Sequence, residues 1–187
     1  MVKSARIRAL EHGLVTFIKP ALANYNFTYY ASTRAFYRKS GECTQIIQFQ
    51  PDVRGAEGTF TVYLAIYHPV YHDPNATNSD HPREFDCLMG YRQRLGPLRE
   101  SSRTRLFKYF LSDTEHWLSW WLTTMPDKWW PFSDDETLIM QSLKNVLSLL
   151  ETYGLPWFEA NTNIEAMKTS YSTILMRSEK NRKPCNE

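Results

Sequence analysis

Apolar residues recur at helical spacing near the start of the chain. Ile7, Leu10, Leu14, Phe17 and Ile18 line one face, and Pro20 is expected to stop the pattern, predicting an amphipathic helix over about residues 4–19. From Phe27 to about Ile66 the period changes to two. Strands are predicted over Ala35–Lys39, Thr44–Gln50 and Thr59–Tyr67, with Gly41 and Pro51–Gly55 supplying the turns. Within the third strand, alternation sends Phe60, Val62, Leu64 and Ile66 to one face and Thr59, Thr61, Tyr63 and Tyr67 to the other. One face should pack on helices while the other is amphiphilic.

After His68 the periodicity breaks. Pro69, Pro74, Asn75, Asn78, Ser79 and Asp80 mark an irregular loop over about 68–82. Arg83–Leu95 fits a short helix or an extended segment, and Leu106–Leu111 fits a further strand. Order returns with three capping patterns of the form Ser/Thr-x-x-Glu. Ser112–Glu115 opens a Trp-rich helix ending before Pro126. Ser133–Glu136 opens a helix over about 134–152 with Gly154 as its C-terminal cap. Thr162–Glu165 opens a last helix to about residue 177, leaving 178–187 as a polar tail expected to fray. Strands early and helices late, without βαβ alternation, predict an α+β fold. It is an antiparallel meander of about four to five strands, packed on one side by an N-terminal helix and two or three C-terminal helices, in one domain over 1–177. No internal repeat is evident.

Several segments, taken in order, resemble the bacterial family known as domain of unknown function 4304. They are the opening helix ending in Lys19-Pro20, Phe36-Tyr-Arg38, Ile46-Ile-Gln-Phe-Gln50, the Phe60-Thr-Val strand, Arg94-Leu-Gly-Pro-Leu98, Trp129-Trp130 and Leu155-Pro-Trp-Phe158. The resemblance implies the fold. It brings no activity, cofactor or site residue with it.

Composition narrows the classes of function. The 187 residues are 42% hydrophobic and 14% aromatic, enough for a buried core, and the longest apolar run, Val62–Tyr67, is far short of a membrane span. The amino terminus lacks the apolar stretch of a secretory signal, so a cytoplasmic protein is expected. Cys43, Cys87 and Cys185 are widely spaced and read as reduced thiols. A formal charge of +2 is too small for a dedicated duplex binder.

Chemistry-bearing motifs are sparse. Nucleophile elbows, zinc-protease signatures and glycine-rich phosphate loops are absent, and no catalytic residue or cofactor is predicted. His68, His72 and His81, with Asp73 and Cys87, carry metal-ligating atoms, but Pro69 and Pro74 deny them a common helix face, and a solvated loop is favoured over a metal site. Asp134-Asp135-Glu136 reads as helix capping, and the pair Asp52 and Glu57 falls in a turn. Between Arg83 and Lys108 seven basic residues (Arg83, Arg92, Arg94, Arg99, Arg103, Arg105, Lys108) face three acidic ones, a local excess of +4 interleaved with Tyr91, Phe107 and Tyr109. That mixture suits an acidic protein surface or single-stranded nucleic acid. Six tryptophans lie between positions 117 and 157. Trp117, Trp120 and Trp121 fit one helix face, while adjacent Trp129 and Trp130 should point apart, leaving one exposed.

These observations favour a non-enzymatic protein-interaction domain, of the kind that serves as an immunity or inhibitor-type partner of an effector protein. Its contact residues would be Arg38, Gln48, Tyr63, Tyr67, Arg92, Arg94, Trp129 and Trp130, with Arg38 and Gln48 sharing the open sheet face. The alternative is a small-ligand or nucleotide-binding enzyme using Arg38, Gln48 and Tyr63 in a cleft. A single-stranded nucleic-acid binder ranks third and is held unlikely.

Overall fold

A computed structural model describes residues 5–52, 58–73, 80–96, 98, 129–131, 133 and 135–181. The expected strand at 106–111, the helix carrying Trp117, Trp120 and Trp121, the residues Arg99, Arg103, Arg105 and Lys108, and Glu57 lie outside the described residues.

The chain opens with α1 (Ala5–Gly13), a π-helical turn (Leu14–Ile18) and α2 (Lys19–Ala23). The helix therefore runs through Pro20 instead of ending at it. A proline inside a regular α-helix has no N–H to donate, and its ring strikes the carbonyl four residues back. Here the wider turn removes the conflict, since the N–H of Lys19 bonds the carbonyl of Leu14, five residues back. The buried positions Leu10, Leu14, Ile18 and Leu22 repeat every four residues. In a uniform helix that spacing would drift by about 40° per step, and the wide turn absorbs the drift.

Five strands follow in the order β1 (Thr28–Tyr30), β2 (Ala35–Ser40), β3 (Cys43–Pro51), β4 (Thr59–Tyr67) and β5 (Arg92–Arg94), each antiparallel to the next. A short β6 (Trp130–Pro131) pairs with the start of β4, on the edge it shares with β5. Between β2 and β3 the two-residue turn places Gly41 at φ +59°, the positive value a primed hairpin turn requires. The three longer strands match the predicted segments to within a residue at each end, and the segment expected as a short helix or an extended stretch holds two 3-10 turns (84–86 and 89–91) followed by the extended β5.

Three helices close the chain: α3 (Glu136–Leu149), which continues through a π-helical turn (Leu150–Gly154) into α4 (Leu155–Asn161), and α5 (Ile164–Asn181). Gly154 does not cap a helix; its φ of −70° is helical, and the N–H of Leu155 bonds the carbonyl of Leu150 just ahead of Pro156. Caps also sit later than expected. Asp135 accepts from the N–H of Thr137 at 2.8 Å to cap α3, and Asn163 accepts from the N–H of Ala166 at 3.1 Å to cap α5. The last helix reaches Asn181, beyond the expected 177.

The helices cover one sheet face. Phe36, Ile47, Phe49, Phe60, Val62, Leu64 and Ile66 meet Leu10, Leu14, Ile18, Leu143, Val146, Leu150 and Phe158 in one core, where each fully buried side chain contributes about 1.5–3 kcal/mol. Trp130 belongs to this core, stacked on Phe60 with its indole N–H donating to Asn145 Oδ1 at 2.9 Å. The hydroxyl of Ser142 donates to the carbonyl of Pro131, so α3 holds β6 by two hydrogen bonds.

Candidate functional site

Alternation and the observed register place Tyr30, Ala35, Tyr37, Ile46, Gln48, Tyr63, Ala65, Tyr67, Arg92 and Arg94 on the face away from the helices. That face is not bare. The segment from His81 to Tyr91 crosses it, with the His81 ring 3.8 Å from Tyr30 and the N–H of Glu84 donating to Gln48 Oε1 at 3.1 Å. Cys87 sinks into a second cluster made by Ala35, Tyr37, Ile46, Ala65 and Tyr67. Burial, with the charges of Asp86 and Glu84 beside it, pushes the Cys87 thiol far up and leaves it inert as a nucleophile. Tyr67 is buried beneath this cover, and Gln48 holds the cover down.

Beyond the covering segment, the same face opens into a groove of about 450 Å³ lined by Tyr63, Glu84, Met89, Arg92, Gln93 and Arg94. Arg94 lies directly opposite Tyr63 in the β4–β5 register, and its Nε donates to the Tyr63 hydroxyl at 2.7 Å. Its guanidinium carbon lies 4.9 Å from the Tyr63 ring centre and 5.6 Å from that of the half-buried Trp129. Two residues earlier, Arg92 shares the strand face, and its side chain makes neither a hydrogen bond nor an ion pair with any described residue. Glu84 is the one acid among the described lining residues. Burial raises its pKa, opposed by the hydrogen bond from the Phe85 N–H and by the cations of Arg92 and Arg83, so its carboxyl favours the neutral form more than a surface glutamate does. Met89, 73% exposed, places apolar surface in the groove beside Arg92 and Arg94, while the exposed Phe85 lies against Arg83.

Of the residues expected to form a contact surface, Tyr63, Arg92, Arg94 and Trp129 come together. Arg38 does not join them. It occupies the helix-covered face, opposite Gln45, because strand alternation separates it from Gln48, which pairs with Ala35. There its Nε donates to Gln45 Oε1 at 2.7 Å, its two terminal nitrogens reach the Tyr25 carbonyl and Glu159, and its guanidinium lies 4.8 Å from the Phe27 ring. Arg38, Gln48 and Tyr63 therefore do not converge on one cleft. Trp130 is the inward member of the tryptophan pair. Sequence reasoning missed Glu84 and Met89, which follow no periodic pattern. The Arg-x-Arg spacing of Arg92 and Arg94 on an extended segment was the available signal that two cations would share a face.

The histidines occupy three separate settings. His68 is buried, with Nδ1 accepting from the N–H groups of Val70 and Tyr71 and Nε2 against Glu42 at 3.2 Å, so its ring ties the turn after β4. His72 packs 5.7 Å from Tyr67, and His81 lies on Tyr30. No group of three or more His, Cys, Asp or Glu side chains among the described residues is arranged to hold a metal. Asp135 acts as a helix cap, and Asp52 lies where β3 leaves the sheet, its N–H bonded to the Thr59 carbonyl. No helix among the described residues is long and apolar enough to cross a membrane.

Comparison with known proteins yields one relationship. No curated protein and no solved structure matches the chain. The family model described as "Domain of unknown function (DUF4304)" matches residues 18–160, from the first π-helical turn to the end of α4, and so spans every strand and the groove. The chain belongs to that DUF4304 family.

Proposed function

We propose that the protein is a non-enzymatic interaction domain that docks another protein at the groove over β4 and β5. One observation carries this reading: the groove is shallow and open, and it sets two arginines and two aromatic rings beside the exposed Met89, the residue types that dominate protein–protein contacts. Its described lining holds no serine, thiol or imidazole. Cys43 and Cys87 are unpaired and buried, which suits the reducing cytoplasm.

The test is site-specific photocrosslinking in the native cell. A benzoylphenylalanine placed at Met89 should give a discrete protein adduct, while the same group at the exposed Lys168 on α5 should not. If Met89 yields no protein adduct, or yields the same products as Lys168, the groove is not a docking site.

A further inference from the structure

We infer that the occupant of this groove is an extended acidic peptide segment carrying carboxylates at alternating positions; this rests on the docking reading above. Arg92 and Arg94 are two positions apart on one strand face, and same-side residues of any extended chain lie about 6.5–7 Å apart. An extended partner repeats that interval, so carboxylates at its positions i and i+2 meet both guanidinium groups in register.

The two arginines contribute differently. Arg94 is held in place by the Tyr63 hydroxyl and by the Tyr63 and Trp129 rings, so little side-chain freedom is lost when it engages a ligand. The Arg92 side chain has no hydrogen-bonding or ion-pair partner among the described residues, which leaves its planar fork to take a carboxylate by two parallel bonds. Glu84 does not compete strongly for either cation, since its Oε2 is already engaged by the Phe85 N–H and its burial disfavours charge.

Phosphates of a single strand could match the same spacing, yet such strands gain most of their sequence-tolerant affinity by stacking bases on bare aromatic faces. Here Arg94 lies against both Tyr63 and Trp129. The chain's formal charge of +2 adds little long-range attraction for nucleic acid. A peptide is the better fit.

Fluorescence anisotropy of the full chain with a fluorescein-labelled hexapeptide alternating glutamate and leucine tests the inference. Saturable binding is expected, at least about tenfold weaker for the glutamine-for-glutamate peptide, because charge-assisted hydrogen bonds are lost. Arg92→Gln and Arg94→Gln should each weaken binding about tenfold, whereas Arg8→Gln, on the exposed side of α1, should leave it unchanged. The Arg92 side chain makes no hydrogen bond or ion pair with a described residue, so Arg92→Gln keeps the test decisive if Arg94→Gln fails to fold. No binding up to about 1 mM, equal binding of the glutamine peptide, or indifference to Arg92→Gln overturns the inference. Tighter binding of a six-nucleotide uridine strand does so as well. A Met89 crosslink to protein alongside such a failure would leave the docking surface standing with a different occupant.

Discussion

Arg38 is partly buried against the Phe27 ring, and its donors are divided among a side-chain amide, a backbone carbonyl and a surface carboxylate. These partners are unequal. Glu159 is 73% exposed, so its ion pair is worth under about 1 kcal/mol, while Gln45 is buried and already commits its amide N–H to Thr162. Arg38→Ala leaves the Gln45 oxygen and the Tyr25 carbonyl without their donor and should cost about 2–4 kcal/mol in urea unfolding, against under about 1 kcal/mol for Glu159→Gln. Equal losses would place the value of Arg38 in its ion pair. Glu84 gives the opposite case, a charge the fold works against. Its folded pKa is raised above the ordinary 4.5 by burial, so below about that pH both folded and unfolded states are protonated and nothing is lost. As pH rises through the raised value, the folded state must carry a buried carboxylate, and stability falls. Glu84→Gln keeps an acceptor for the Phe85 N–H without the charge. Its stability advantage over the parent should therefore grow from pH 4 to pH 7 and then level off; an advantage that is constant or larger at pH 4 would contradict this.

Both long helical runs pass through a proline in the same manner. Leu14-Val-Thr-Phe-Ile-Lys-Pro20 and Leu150-Glu-Thr-Tyr-Gly-Leu-Pro156 share a π-helical turn, a proline at its exit and a threonine whose hydroxyl bonds the carbonyl four residues back, Thr16 to His12 and Thr152 to Ser148. A π-helical turn is an α-helix with one extra residue, and the faces before and after it keep their register. Deleting Val15, which is largely exposed, should therefore restore α geometry without rotating Leu10 away from the core, but it returns the Pro20 ring to the Thr16 carbonyl. The deletion alone should cost about 3 kcal/mol, and adding Pro20→Ala should recover most of that, as read by thermal or urea unfolding. A double variant no more stable than the deletion would mean that the turn serves packing instead of the proline. The evenly four-spaced apolar positions 10, 14, 18, 22 and 146, 150, 154, 158 carried this geometry in the sequence. Reading Pro20 and Gly154 as stop signals obscured it, because those rules hold for uniform α-helices and not for one that widens ahead of its proline. The strands were legible for a simpler reason: a two-residue period with one oily face has few other ways to fold.

The described residues form a sheet with helices on one face and a short irregular segment on the other. Only the first layer was written as a periodic pattern. The segment from His81 to Tyr91 has none, because it is held by bonds between close neighbours, such as Asp86 Oδ2 accepting from the Arg83 N–H, and by single bonds to the sheet, with Asp86 Oδ1 buried and left without a hydrogen-bond partner. The groove was legible only through Tyr63, Arg92, Arg94 and the Trp129-Trp130 pair, whose partners on the covering segment lay outside any repeat. The two layers differ in how they are held, and the two buried cysteines report on them separately. Cys43 lies in the helix-covered core with its sulfur 3.8 Å from that of Met167, whereas Cys87 lies beneath the covering segment. Burial raises both thiols, so neither reacts until its layer opens. Among the described residues, the covering segment is tied to the sheet by the Glu84 N–H to Gln48 and to the preceding loop by the Asp73 N–H to the Asp86 carbonyl, and it should open locally at lower cost than the helical layer. In a Cys185→Ser background, Ellman's reagent should label Cys87 faster than Cys43 under native conditions. Gln48→Ala removes about 1 kcal/mol of tether and should speed Cys87 labelling about fivefold while leaving Cys43 unchanged. If both cysteines label at one rate that follows global unfolding, the segment is as firmly part of the fold as the helices, and the groove edge that it builds with Glu84 and Met89 is rigid before any partner arrives.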